Sequence, residues 1–120
     1  MAYDVDFSTL KGLTLVSIQA EVDGDEILLL TECGRKFRMV HYQDCCESVY
    51  VESIVGDLAD LIGTPLLLAE EATSDAPDAG GSETWTFYKL ATIHGYVDIR
   101  WLGTSNGWYS ESVNFEEVTH

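Results

Sequence analysis

Residues 26–32 (EILLLTE) and 35–42 (RKFRMVHY) are two strand-like runs separated only by Cys33-Gly34. A connection this short joins antiparallel neighbours. Read as a two-residue loop, it pairs Glu32 with Arg35, Leu30 with Phe37, Leu28 with Met39 and Glu26 with His41. Side chains alternate along a strand, so these pairs share one face. Two apolar pairs then lie between two pairs of complementary polarity. A slip of one residue would destroy that agreement, so this is the predicted register. Ile27 and Leu29 point to the other face, and 26–32 reads as a central strand covered on both sides.

The same punctuation recurs along the chain. LTLVSIQA (13–20) is followed by Asp23-Gly24, a strong hairpin signal. A literal two-residue turn there would set Glu21 against Glu26, so a longer loop is expected. ESVYVESI (47–54) reads as a strand. In GDLADLIGTP (56–65), Asp57 suits an N-cap, Leu58, Leu61 and Ile62 share a helical face, Gly63 suits a left-handed end and Pro65 forbids continuation. One short helix near 57–62 follows, and LLLAEEA (66–72) resumes a strand.

TSDAPDAGGSE (73–83) is polar and aperiodic, and reads as a mobile loop. TWTFYKLATI (84–93) and YVDIRWL (96–102) flank His94-Gly95. A two-residue turn pairs Thr92 with Val97, Leu90 with Ile99 and Tyr88 with Trp101. It also opposes Lys89 to Arg100, so Asp98 or Glu111 is expected nearby. GTSNG (103–107) leads to a last strand at 108–115.

The fold class is therefore mainly β: a curled antiparallel sheet, or two packed sheets, with one short helix. The 120 residues make one domain, 1–120, with 46% hydrophobic content sufficient for a packed core. No apolar run approaches the ~20 residues of a membrane-spanning helix. The N-terminus MAYDVDFSTL has no basic stretch leading into an apolar one, so the expected location is cytoplasmic, in a host cell if the chain is virally encoded.

Six Lys and Arg stand against 21 Asp and Glu, a net charge of −15. A surface of that sign repels nucleic acid and anionic membranes, and permits a basic protein partner. Three cysteines, two of them adjacent, suggest a reduced compartment without disulfides.

HYQDCCESVYVE (41–52), TWTFYKLAT (84–92) and IRWLGTSNGWYSESV (99–113) together resemble a family of small proteins of unknown function from bacteriophages, prophages and bacteria. The H-x-Q-D-C-C-E and R-W-L-G-x-S-N-G-x-Y-S patterns carry the resemblance. It implies a setting in phage or mobile genetic material rather than an activity.

His41, Asp44, Cys45, Cys46 and Glu47 are the densest set of metal-ligand types. Adjacent cysteines point to opposite sides of a strand, so Cys45 and Cys46 are read as core at a bend, with Asp44 capping the turn. A thiol–imidazole pair with His41 lacks an evident oxyanion hole. Carboxylate pairs such as Asp57 with Asp60, or Glu70 with Glu71, arise by chance among 21 acids. No catalytic residues, metal or cofactor are assigned. Trp101 falls on an apolar face. Trp108 and Tyr109 are adjacent, so one leaves the face the other occupies; beside Asn106 it would suit a protein-binding hot spot.

The expected function is a small acidic binding protein of phage or mobile-element origin that inhibits a nucleic-acid-binding host defence factor, of anti-CRISPR or DNA-mimic type. Asn106, Trp108, Tyr109, Glu70, Glu71, Asp75, Asp78, Glu83, Asp23 and Asp25 are its candidate contact residues. The alternatives are a self-assembling accessory protein, with a homodimer through sheet edges, and a small enzyme using His41–Glu47.

Overall fold

The computed structural model describes residues 2–43, 45–75, 82–105 and 110–119. The expectations for Asp44, Asp78, Asn106, Trp108 and Tyr109 lie outside the described residues. Nine strands run in chain order: β1 (Ala2–Asp4), β2 (Leu15–Gln19), β3 (Glu26–Thr31), β4 (Lys36–Val40), β5 (Ser48–Val55), β6 (Leu68–Asp75), β7 (Ser82–Thr92), β8 (Gly95–Ser105) and β9 (Asn114–Val118). They form two open antiparallel sheets, ordered β1-β9-β4-β3-β2 and β5-β8-β7-β6. The protein is mainly β, as its sequence implies.

The two sheets enclose one core. Ile27, Leu29, Phe37, Met39 and Phe115 come from the five-stranded sheet, and Val49, Val51, Tyr88, Leu90, Val97, Ile99 and Trp101 from the other. Phe37 stacks on Phe115 with centroids 5.4 Å apart. Phe7, on a 3-10 turn at Phe7–Leu10, meets both Phe115 and Tyr88, at 5.0 and 4.6 Å. Trp101 is fully buried, as its strand pattern requires.

The β3–β4 register differs from the expected one by a single residue. Leu29 faces Phe37 and Ile27 faces Met39, while Leu28 and Leu30 face Arg38 and Lys36. The loop holds three residues, 32–34, rather than two. The Gly34 amide donates to the Thr31 carbonyl, and Gly34 takes a φ of +89° that a side chain would disfavour. Thr31 closes the loop against Arg35: its amide donates to the Arg35 carbonyl, and its hydroxyl accepts from the Arg35 amide at 2.9 Å. Glu26 therefore faces Val40, and His41 finds another partner.

The β7–β8 hairpin also turns elsewhere than expected. Its loop is Ile93-His94, with Thr92 opposite Gly95, Leu90 opposite Val97, Tyr88 opposite Ile99 and Thr86 opposite Trp101. The slip of two residues leaves every side chain on its expected face. It sets Lys89 against Asp98 rather than Arg100, which removes the like-charge clash. Glu111 does not take that compensating place. Gly95 is pressed on Asp60, where an added Cβ would lie 2.6 Å from the carboxylate.

Three further boundaries differ. The helix near 57–62 is a 3-10 turn, Leu58–Leu61, capped by the Asp57 carboxylate accepting from the Ala59 amide at 3.0 Å. The segment 73–83 is a loop only in part, because Thr73–Asp75 pair with 84–86 and residues 82–83 begin β7. The last strand is Asn114–Val118, not 108–115. The chain at 111 crosses directly over β8, where a Cβ on Gly103 would lie 2.6 Å from the Glu111 carbonyl. The loop after β2 is longer than two residues, as expected. Pairing ends at Gln19 with Leu28, and Asp23 adopts a φ of +70°.

Candidate functional site

His41 and Glu47, two of the metal-ligand types in the 41–47 segment, are pinned to each other. The side chains of His41 and Glu47 are 5% and 0% exposed. His41 Nδ1 lies 2.7 Å from the Ser112 carbonyl, which can only accept, so Nδ1 carries a proton. Nε2 lies 2.8 Å from Glu47 Oε2. The other Glu47 oxygen accepts from the Cys45 amide at 2.9 Å and from the Gln43 side-chain amide at 3.3 Å. Both imidazole nitrogens are thus engaged. The carboxylate ties β4, the turn and the segment before β9 together.

Cys45 and Cys46 correct the expectation twice. Both are exposed rather than core, and they are joined to each other by a disulfide. A bonded pair offers neither a thiolate nucleophile nor thiolate ligands. The free thiol is Cys33, at the β3–β4 tip, 3.3 Å from the Thr31 hydroxyl. That hydrogen bond, with the Arg35 amide and charge, lowers its pKa. Among the described residues no group of three or more His, Cys, Asp or Glu is arranged to hold a metal ion.

The outward face of the four-stranded sheet has a different character. Alternation buries Thr86, Tyr88 and Leu90 of β7 and turns Trp85, Phe87 and Lys89 out. Cross-strand pairing builds rows over this face. One row is Ser74, Trp85, Leu102 and Tyr50; the next is Ala72, Phe87, Arg100 and Ser53; the third is Glu70, Lys89, Asp98 and Val55. A bulge in β5 between Val51 and Ser53 frees Glu52 from the ladder. Glu52 accepts from Arg100 Nε at 2.8 Å. The guanidinium carbon lies 5.2 Å from the centre of the Trp85 ring, in cation–π range. Ser53, Val55, Phe87, Lys89, Asp98 and Arg100 line a depression of about 300 Å³ beside that stack. The Tyr96 hydroxyl donates to Asp98 and raises the Tyr96 pKa.

Of the expected acidic residues that are described, all but Glu83 stand at opposite edges of this sheet. Glu70 and Glu71 are exposed on β6, and Asp75 ends that strand. Glu83 is half-buried on β7. Asp23 and Asp25 are exposed in the loop before β3, which is bonded to β5: the Asp23 amide donates to the Val51 carbonyl, and the Val51 amide to the Gly24 carbonyl. With β8 and β7 between them, β5 and β6 are about 14 Å apart. Glu21, Asp25 and Glu26 rim a hollow of about 500 Å³ floored by Ile18, Ala20 and Leu28.

Four other carboxylates are buried and matched. Glu117 accepts from Arg35 at 2.8 and 2.9 Å, a fork that lowers its pKa. Glu116 accepts from Arg38 and from the Tyr42 hydroxyl at 2.9 and 2.6 Å. Glu111 accepts from Thr84 at 2.7 Å and from Ser105. Glu47 is the fourth. Sequence reasoning missed Trp85, Phe87 and Arg100 as one surface, although the predicted alternation of Tyr88, Leu90 and Thr92 already implies that Trp85 and Phe87 face away from them.

Fold and site define a two-sheet antiparallel β domain with an aromatic and cationic outer face between acidic edges. The model of the family described as "Domain of unknown function (DUF7448)" matches residues 8–115, and the chain belongs to that family. No curated protein and no solved structure matches it.

Proposed function

We propose that the chain is a non-catalytic binding module that holds a basic protein on the outer face of its four-stranded sheet. The observation that carries this is the Trp85–Arg100–Phe87 cluster, half open to solvent, with exposed carboxylates on both flanking strands or their loops. Trp, Tyr and Arg supply most hot-spot energy in protein interfaces. Edge carboxylates steer a positive partner toward that cluster and set the salt dependence of its capture.

The finer reading places the chain in a phage or mobile element, acting on a nucleic-acid-binding host defence protein. The net charge and the two sequence patterns support it. The exposed candidate carboxylates Asp23, Asp25, Glu70 and Glu71 stand apart at two edges, so steering of a basic protein is favoured over imitation of a duplex, whose charges follow each ~1.7 Å of axis.

The test is capture from a host lysate at low and high salt, followed by binding measurements with the purified partner. Joint charge reversal of Asp23, Asp25, Glu70 and Glu71 should slow association and flatten the salt dependence. Trp85→Ala should raise the dissociation rate. Binding indifferent to both sets of changes would overturn the proposal.

A further inference from the structure

A sheet edge is a row of unpaired backbone donors and acceptors, and folded proteins usually cover it. Three of the four edges here are blunted. β1 is three residues long. β2 is covered at its start, where Leu15 bridges Ile62, Thr14 bridges Pro65, and the Gly63 amide donates to the Leu15 carbonyl. β5 is covered at Val51 by the loop carrying Asp23 and Gly24. β6 differs: the 3-10 turn Phe7–Leu10 packs against it, but donates no backbone bond to it. The strand runs for eight residues, and among the described residues nothing bonds to the backbone on its side away from β7. Residues 70–74 are exposed, and the strand contains neither Pro nor Lys.

From this we infer that β6 is a strand-addition site, and that its occupant is an extended basic segment of the protein partner. The inference rests on the binding function proposed above and adds the mode of attachment. Every second amide and carbonyl of β6 faces outward, ready to extend the ladder. Glu70 and Glu71 set the register and the chemistry. Being adjacent, they point to opposite faces of the sheet. An added strand meets Glu70 on the outer face, beside Lys89, and Glu71 at the inner seam, beside the Tyr88 hydroxyl; two consecutive Lys or Arg residues would reach both. Ala72, Thr73 and Ser74 leave room beside them for small or β-branched residues. The same two glutamates disfavour a second copy of β6, which would bring two more carboxylates to the seam.

The experiment uses the isotopically labelled chain and a synthetic peptide, Thr-Val-Lys-Arg-Val-Thr, as probe. Amide shifts and exchange rates are followed along residues 68–75. The expected result is slowed exchange confined to β6 and its immediate neighbours. It should be lost with a backbone N-methylated peptide and with a Glu-Glu version. Glu70→Lys with Glu71→Lys, both exposed positions, should weaken binding about tenfold while leaving the fold intact. Unchanged β6 amides at millimolar peptide would overturn the inference. So would β6 protection in the protein alone that grows with its concentration, which would identify a second copy as the occupant. If peptide binding fails while partner capture still depends on Trp85, the strand-addition site falls and the outer-face proposal stands.

Discussion

The two sheets use their carboxylates in opposite ways. In the five-stranded sheet the glutamates of β9 are buried against arginines: Glu117 grips Arg35, and Glu116 grips Arg38 with Tyr42. In the four-stranded sheet, Glu70 and Glu71 stand exposed on an edge, and Asp23 and Asp25 stand on the loop bound to the other edge. A net charge of −15 is therefore two populations. One belongs to the fold and cannot face a partner. The other is exposed, and in the proposed function it meets the partner.

The sharpest way to break this division is to remove one member of each population. Glu47→Ala would leave His41 Nε2 and the Cys45 amide without their buried acceptor. Urea denaturation should show a loss of about 3 kcal/mol or more. Glu70→Ala, on the exposed edge, should stay within about 0.5 kcal/mol of the parent. Equal losses would erase the distinction.

Acid titration separates the buried carboxylates from the exposed ones. The Glu117 carboxyl is lowered by Arg35, so its contribution to stability is complete above the ordinary carboxylate range and is lost as pH falls through its lowered value. Arg35→Gln should therefore destabilise the protein most near neutral pH. The gap from the parent should close in strong acid, as followed by denaturation midpoints across pH. A gap that widens in acid would reverse the assignment.

Thiol chemistry gives the smallest effect. Cys33 should react with iodoacetamide at lower pH than an ordinary thiol, because its thiolate is favoured. Cys45 and Cys46 are equally exposed, and should take up label only after reduction, read by intact mass. Three labels without reductant would contradict the bonded pair.

Strand positions were legible because turn residues divide the chain into short runs: Asp23-Gly24, Cys33-Gly34 and His94-Gly95 all lie in or beside hairpin loops. The β3–β4 register was not. Ile27, Leu28, Leu29 and Leu30 are apolar on both faces, so hydrophobic pattern could not distinguish two registers one residue apart. The positive φ of Gly34 decided it, and a two-residue reading cannot anticipate a three-residue loop. At β7–β8 both registers preserve the faces, and only the charge on Lys89 separates them.

The candidate site was legible in composition but not in placement. Glu116 and Glu117 look solvent-exposed in sequence; their arginine partners lie 78 and 82 residues away. Trp85 and Arg100 meet only because β7 pairs β8, and Glu52 joins them through a bulge that no local pattern announces.

In the proposed function, binding energy lies on the outer face of the four-stranded sheet while the matched carboxylates serve the fold. The most direct measurement is the affinity of the purified partner for the parent and for Trp85→Ala, with each variant's stability measured alongside. The expected loss is roughly thirtyfold or more, about 2 kcal/mol, with folding stability changed by less than about 1 kcal/mol. Unchanged affinity in a folded Trp85→Ala protein would contradict it.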